Sequence, residues 1–193
     1  TDWAALHRDA LDFEPRSFRV HLYDALLEHP YVLPTTAVFR KSFLTPAIRF
    51  VEKDFICGDW EFFARLSKEH PAIYMPIETA CNRSHEEAGR LTRTPDVIQL
   101  QHRLEMIART WAADTDFMAD PDRRTRTLHV QFQYLAALAK QQLRAGTAAD
   151  VRQTLARARL LQSELPLDLR ALHVFASLPA GLGLLRGIDR AVR

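Results

Sequence analysis

The sequence predicts a mainly helical α+β chain, and three observations carry that expectation. From Thr94 onward, apolar residues recur at helical spacing with little interruption, beginning with Val97, Leu100, Leu104, Ile107 and Trp111. Before Thr94 the pattern breaks into short runs punctuated by Pro30, Pro34, Pro71 and Pro76, which suits short extended pieces between isolated helices. An apolar content of 47% over 193 residues can fill one moderate core or two small ones and excludes a disordered chain. The expected division is a mixed region at 1–93 and a helical region at 94–193.

Taken in order, Ser17 to His29 reads as a helix. Ser17 is its N-cap, Phe18, Leu22, Ala25 and Leu26 form one face, and Pro30 is the stop. Tyr31 to Arg40 is β-branched and apolar but carries Pro34, so it reads as an extended segment at a sheet edge. Phe43 to Phe50 reads as a turn of helix and a loop. Asp59 to Lys68 is the best-defined helix of this half, with Trp60, Phe63, Ala64 and Ser67 on one face. On it Glu61 and Arg65 are exposed or paired, at the favourable i, i+4 order. Ala72 to Met75 and Ile77 to Ala80 read as two extended pieces on either side of Pro76.

Thr94-Pro95-Asp96 is a strong helix start with proline at the first position. Further helices are expected from about Pro121 to Ala145 and from about Ala148 to Glu164, with shorter ones after Leu167 and after Pro179. Leu135 to Gly146 and Ala148 to Pro166 make one antiparallel helix hairpin. It resembles a tetratricopeptide unit, but a single copy is no repeat array.

Composition narrows function by exclusion. A formal charge of +2 with scattered cations, among them Arg123, Arg124 and Arg126 and the terminal Arg186, Arg190 and Arg193, lacks the basic stripe of a nucleic-acid binder. Only Cys57 and Cys81 are present, which points away from a disulfide framework and toward a reducing cytoplasm. No apolar run approaches the roughly 18 to 20 residues of a spanning helix. Leu178 to Arg193, with Leu182, Leu184, Leu185 and Ile188 opposite Arg186 and Arg190, has the amphipathic pattern of a helix lying on an anionic membrane face, although such helices more often pack on their own domain.

The stretch Phe50-Val-Glu-Lys-Asp-Phe-Ile-Cys-Gly-Asp59-Trp60, continuing to Arg65-Leu66 and followed by Asn82-Arg83-Ser84-His85, carries the most specific signal. It resembles the acceptor half of a family 2 glycosyltransferase of the GT-A type. In that family an apolar-Phe-Asp-Glu turn precedes, at a fixed interval, a Glu-Asp-Trp step opening a helix that ends in Arg-Leu, and a later Arg-x-His closes the site. Here Val51 stands for the Asp of the turn, Glu52 is kept, and Gly58 stands for the Glu before Asp59. The resemblance covers roughly residues 13 to 93. It implies the acceptor half of a GT-A-like α/β domain followed by an all-α tail.

It further implies an inverting transfer of a sugar from a nucleotide-sugar donor to a hydroxyl of a glycan, lipid or protein acceptor. Asp59 would be the general base, and a helix N-terminus favours its negative charge. The alternative is that Asp59 only caps its helix. His85 would complete a divalent metal site for Mn²⁺ or Mg²⁺, and Arg83 would contact donor phosphates or pair with Glu86 or Glu87. Trp60, with Phe62 and Phe63, would stack on a sugar ring or form core, the commoner fate of such a cluster.

The donor-binding half, with its strand-end Asp-x-Asp and phosphate-binding turn, has no counterpart before Phe50, and Thr1 is not an initiator methionine. The chain is therefore expected to be the C-terminal portion of a larger protein, inactive alone and metal-dependent only with that other half. Asp114-Thr-Asp116 spells the metal triplet but follows the base instead of preceding it, and reads as a solvated turn. Asn82-Arg-Ser84 spells a glycosylation acceptor without meaning in a cytoplasmic chain. His85-Glu86 lacks a second histidine at Gly89, which excludes a zinc-protease motif. A non-catalytic alternative is a helical protein-interaction module, built on the 121–166 hairpin and the basic end, joined to a degenerate transferase remnant.

Overall fold

The computed structural model describes residues 18–51, 56–76, 96–145 and 147–177. The chain divides into two compact units, Thr1–Ala88 and Gly89–Arg193. It is mainly helical with one small sheet, as expected for the α+β class. No helix among the described residues is long and apolar enough to cross a membrane.

The first unit opens with strand β1 (Phe18–Val20), which pairs antiparallel with β2 (Ala72–Tyr74) in the register Phe18 to Tyr74, Arg19 to Ile73 and Val20 to Ala72. This corrects the expected Ser17 to His29 helix, whose helical part shrinks to α1 (Tyr23–Leu26). Helical spacing is real for Leu22 and Leu26, which are both buried. Two residues earlier, pairing with a strand more than fifty positions away satisfies the backbone instead, and local periodicity carries no trace of so distant a partner. β2 lies within the extended piece expected at Ala72 to Met75.

Tyr31 to Arg40 joins no sheet among the described residues. Pro34 opens a 3-10 turn at Pro34–Thr36, in which the Thr36 hydroxyl donates to the Leu33 carbonyl at 2.9 Å, and Leu33 and Ala37 on either side are extended. A second 3-10 turn, Lys41–Phe43, leads into a loop closed by the Thr45 side chain, which accepts from the Ile48 amide at 3.2 Å.

Helix α2 (Gly58–Glu69) is the backbone of this unit. Trp60, Phe63, Ala64 and Ser67 form its buried stripe, and Phe62 and Glu61 are buried beside them. The Trp60 indole N–H donates to the Leu26 carbonyl and so ties α2 to α1. Ser67, which has no room for its hydroxyl among apolar neighbours, returns it to the Phe63 and Ala64 carbonyls one turn back.

The second unit starts at α3 (Asp96–Ile107), which runs on as a π-helical turn at Ala108–Ala112. The π turn rotates the stripe enough to keep Trp111 fully buried after Leu104 and Ile107. A short helix, α4 (Thr115–Ala119), and the long α5 (Pro121–Ala145) follow. Asp120 caps α5: its carboxylate accepts from the Asp122 and Arg123 amides at 2.9 and 3.1 Å, and the Arg123 amide holds its pKa below the usual carboxylate range. Helices α6 (Ala148–Leu161) and α7 (Leu167–Ser177) are the last elements among the described residues, α6 ending at Leu161 where Gln162 turns extended.

The core of this unit joins Leu104 of α3 to Phe132, Leu135, Leu138 and Ala139 of α5, Val151, Leu155 and Ala158 of α6, and Leu169, Leu172 and Ala176 of α7. Within it the Thr154 hydroxyl donates to the Gln142 carboxamide at 2.7 Å, so neither buried polar group is orphaned. Lys140 pairs with Asp168 at 2.8 Å, and Arg152 donates to the Ala176 carbonyl at 2.8 Å, closing the C-terminal end of α7. The predicted segment after Pro179, including Leu178 to Arg193, lies outside the described residues, as do Cys81, Ile77 to Ala80 and the Asn82 to Gly89 stretch.

Candidate functional site

Two features of the first unit could carry function, and α2 holds both. The first is Asp59. Cys57 occupies the N-cap position and offers no side-chain cap, so the first-turn amides of α2 look to their own residues for acceptors. Asp59 supplies one: its Oδ1 accepts from the Trp60 amide at 2.8 Å. The second carboxylate oxygen has no partner among the described residues, and the side chain is half-buried. Capping and proton transfer therefore do not compete, since one oxygen anchors the group while the other stays available.

Gly58, immediately before it, sits in helical backbone where an added Cβ would meet only the Val51 carbonyl at 3.9 Å. Nothing among the described residues around it demands glycine.

The second feature is a groove of about 470 Å³ lined by Phe39, Lys41, Leu44, Arg49, Phe50 and Phe62. Phe62 is buried and forms the floor. Phe50 stacks on it with ring centroids 4.3 Å apart and planes 7° from parallel, and Phe39 meets it at 5.3 Å in a tilted arrangement. Phe50 is 55% exposed, so its outer face is open. Asp59 and Phe62, three residues apart, lie on neighbouring turns of one side of α2.

The loop wall is fixed from behind. Arg65 pairs with the fully buried Glu61, and its other nitrogen donates to the Ala47 carbonyl at 3.4 Å, between Leu44 and Arg49. Of the two states expected for Glu61 and Arg65, pairing is the one observed.

Trp60 requires a correction. It is only 4% exposed and its indole N–H is taken by the Leu26 carbonyl, so no face is available for stacking on a sugar, and it belongs to the core. The accessible aromatics of the groove are Phe39 and Phe50. Sequence reasoning used Phe50 only as a motif landmark and passed over Phe39. The signal that marks them is exposure-prone loop composition: between Tyr31 and Val51 aromatic and aliphatic residues are interleaved with Arg40, Lys41 and Arg49 and with no acidic residue.

Arg83 and His85 lie outside the described residues. Among the described residues no group of three His, Cys, Asp or Glu side chains could hold a metal ion. Asp114 is not a metal ligand but the N-cap of α4, accepting from the Phe117 amide at 3.2 Å, which corrects the solvated-turn reading. Asp116 is exposed. Comparison with known proteins found no matching family model, no similar curated protein and no similar solved structure.

Proposed function

We propose that this chain supplies the acceptor side of an inverting glycosyltransferase of the family 2, GT-A type, with Asp59 as the general base. The observation that supports the reading is the placement of Asp59 in the first turn of α2, anchored through one oxygen and with the other unpartnered among the described residues, one turn from an open groove. The acceptor hydroxyl gives its proton to that oxygen as the acceptor oxygen attacks the anomeric carbon. The bond from that carbon to the nucleotide diphosphate breaks on the opposite face, and the leaving diphosphate takes the electron pair. Donor binding and its divalent ion are assigned to a separate donor-binding half, toward whose phosphates this chain would contribute Arg83 and His85, so the 193-residue chain alone is expected to transfer nothing.

The test is nucleotide release from a panel of sugar nucleotides by a polypeptide that joins these residues to a donor-binding half, beside its Asp59→Asn variant. Loss of a positioned base should lower release by about 10²- to 10⁴-fold while the fold is kept. Release that survives the substitution would remove Asp59 from the chemistry.

A second reading, a helical interaction module on a degenerate transferase remnant, draws support from α6 and α7. Leu160, Leu167 and Val174 are all exposed there among the described residues, on a unit whose buried residues form one core cluster. A coding sequence with no strand-end Asp-x-Asp ahead of these residues would favour it over the transferase.

A further inference from the structure

The groove of the first unit presents two chemistries side by side. Its walls and floor are hydrocarbon: Phe39, Leu44 and Phe50 are exposed at the mouth and Phe62 closes the bottom. Its polar side chains are cations alone, Lys41 and Arg49, both exposed. Among the described residues neither has a carboxylate within ion-pair distance, and the segment from Tyr31 to Val51 contains no acidic residue.

We propose that this groove binds a single-chain anionic amphiphile, its hydrocarbon tail lying along Phe62 between Phe39, Leu44 and Phe50 and its anionic head held by Lys41 and Arg49.

Charge and shape both select this occupant. Exposed aromatic and aliphatic faces gain by being covered with hydrocarbon, in proportion to the area covered. Two cations at one mouth, with no carboxylate within ion-pair distance among the described residues, attract an anion, Arg49 through its planar fork and Lys41 as a point charge. A nucleotide satisfies the cations and can stack its base on an aromatic face, but no lining side chain can accept a hydrogen bond from its base edges, a partner that a hydrocarbon tail does not need. A partner helix, about 10 Å across, is too wide for a groove of this volume, which falls within the range of small-molecule sites at roughly 300–1,000 Å³. The inference stands apart from the role of Asp59, since it concerns binding and not transfer.

The experiment is calorimetric titration of the 193-residue chain with dodecyl phosphate below its micellar concentration. Octyl phosphate, dodecyl maltoside, inorganic phosphate and uridine monophosphate serve as comparisons. Saturable one-to-one binding of dodecyl phosphate is expected, weakened about tenfold or more in octyl phosphate, whose shorter tail covers less of the walls. Replacing both cations, Lys41→Gln with Arg49→Gln, should weaken it about tenfold. Both residues are exposed, so the circular dichroism spectrum should not change. Phe50→Ala should weaken the tail contact without altering the preference for an anionic head.

Equal affinity for dodecyl maltoside would overturn the anionic half of the proposal. Equal affinity for uridine monophosphate or inorganic phosphate would overturn the apolar half. Indifference to the double cation variant, or no binding at all, would overturn the whole.

Discussion

The Glu61–Arg65 pair offers the sharpest test of how the first unit is held together. The Glu61 side chain is entirely buried, while the Arg65 side chain is 32% exposed and its guanidinium reaches both Glu61 and the Ala47 carbonyl of the groove wall. Removing one partner of a fully buried pair costs about 3–5 kcal/mol, because the remaining charge loses its compensation. Arg65 is part-exposed, so water can enter where it stood, and for Arg65→Leu we expect a smaller cost of about 2–3 kcal/mol.

Hydrogen exchange of the α2 amides reads this unit separately from the helical one. The expected cost corresponds to a fall in protection of about 30- to 150-fold. Glu61→Leu combined with Arg65→Leu removes both charges and should recover most of the loss, with a coupling of about 2 kcal/mol. Protection in Arg65→Leu within about twofold of the parent, a difference of roughly 0.4 kcal/mol, would refute the claim that the pair braces α2 against the loop.

Other perturbations follow from single features. Gly58→Ala is compatible with the helical backbone and meets ordinary van der Waals contact at Val51, so exchange protection of α2 should rise by about 0.4–1 kcal/mol. Leu155→Ala, in the fully buried centre of the second unit, should cost about 2–5 kcal/mol in urea denaturation, whereas Leu160→Ala on the exposed side of the same helix should cost under about 0.5.

His173 has its pKa lowered by burial and, secondarily, by Arg159, and its Nδ1 is buried without a hydrogen bond. Below the ordinary imidazole value the unfolded chain binds a proton that the folded chain resists. Stability should therefore be full above that value and fall as pH drops from it toward the lowered folded value, and His173→Leu should flatten the profile. Asp168 is held below the usual carboxylate range chiefly by its hydrogen bond to Lys140. Its contribution should be present above the unfolded carboxylate value and disappear at more acid pH, a second step that Lys140→Met should diminish, the backbone hydrogen bonds at Asp168 and Leu169 retaining part of it.

Local sequence determined the helical unit. The stripe from Val97 to Trp111 and the helices expected from about Pro121, about Ala148 and after Leu167 lie near the observed α3, α5, α6 and α7, because the 3.6-residue period is a property of neighbouring residues, whereas the short α4 was read as a turn. The same holds for α2, whose buried stripe and Glu61–Arg65 pairing are written within twelve residues. Asp59 was legible as a residue in the first turn of a helix.

Long-range contact decided the rest. Phe18 to Val20 became a strand because Ala72 to Tyr74 lies beside it, and the indole of Trp60 was withdrawn from solvent by a carbonyl thirty-four residues earlier. The groove is likewise assembled from a loop residue at Phe39, another at Phe50 and the helical Phe62. No window of sequence holds all three, so the periodicity of any one segment could not show that their rings would meet.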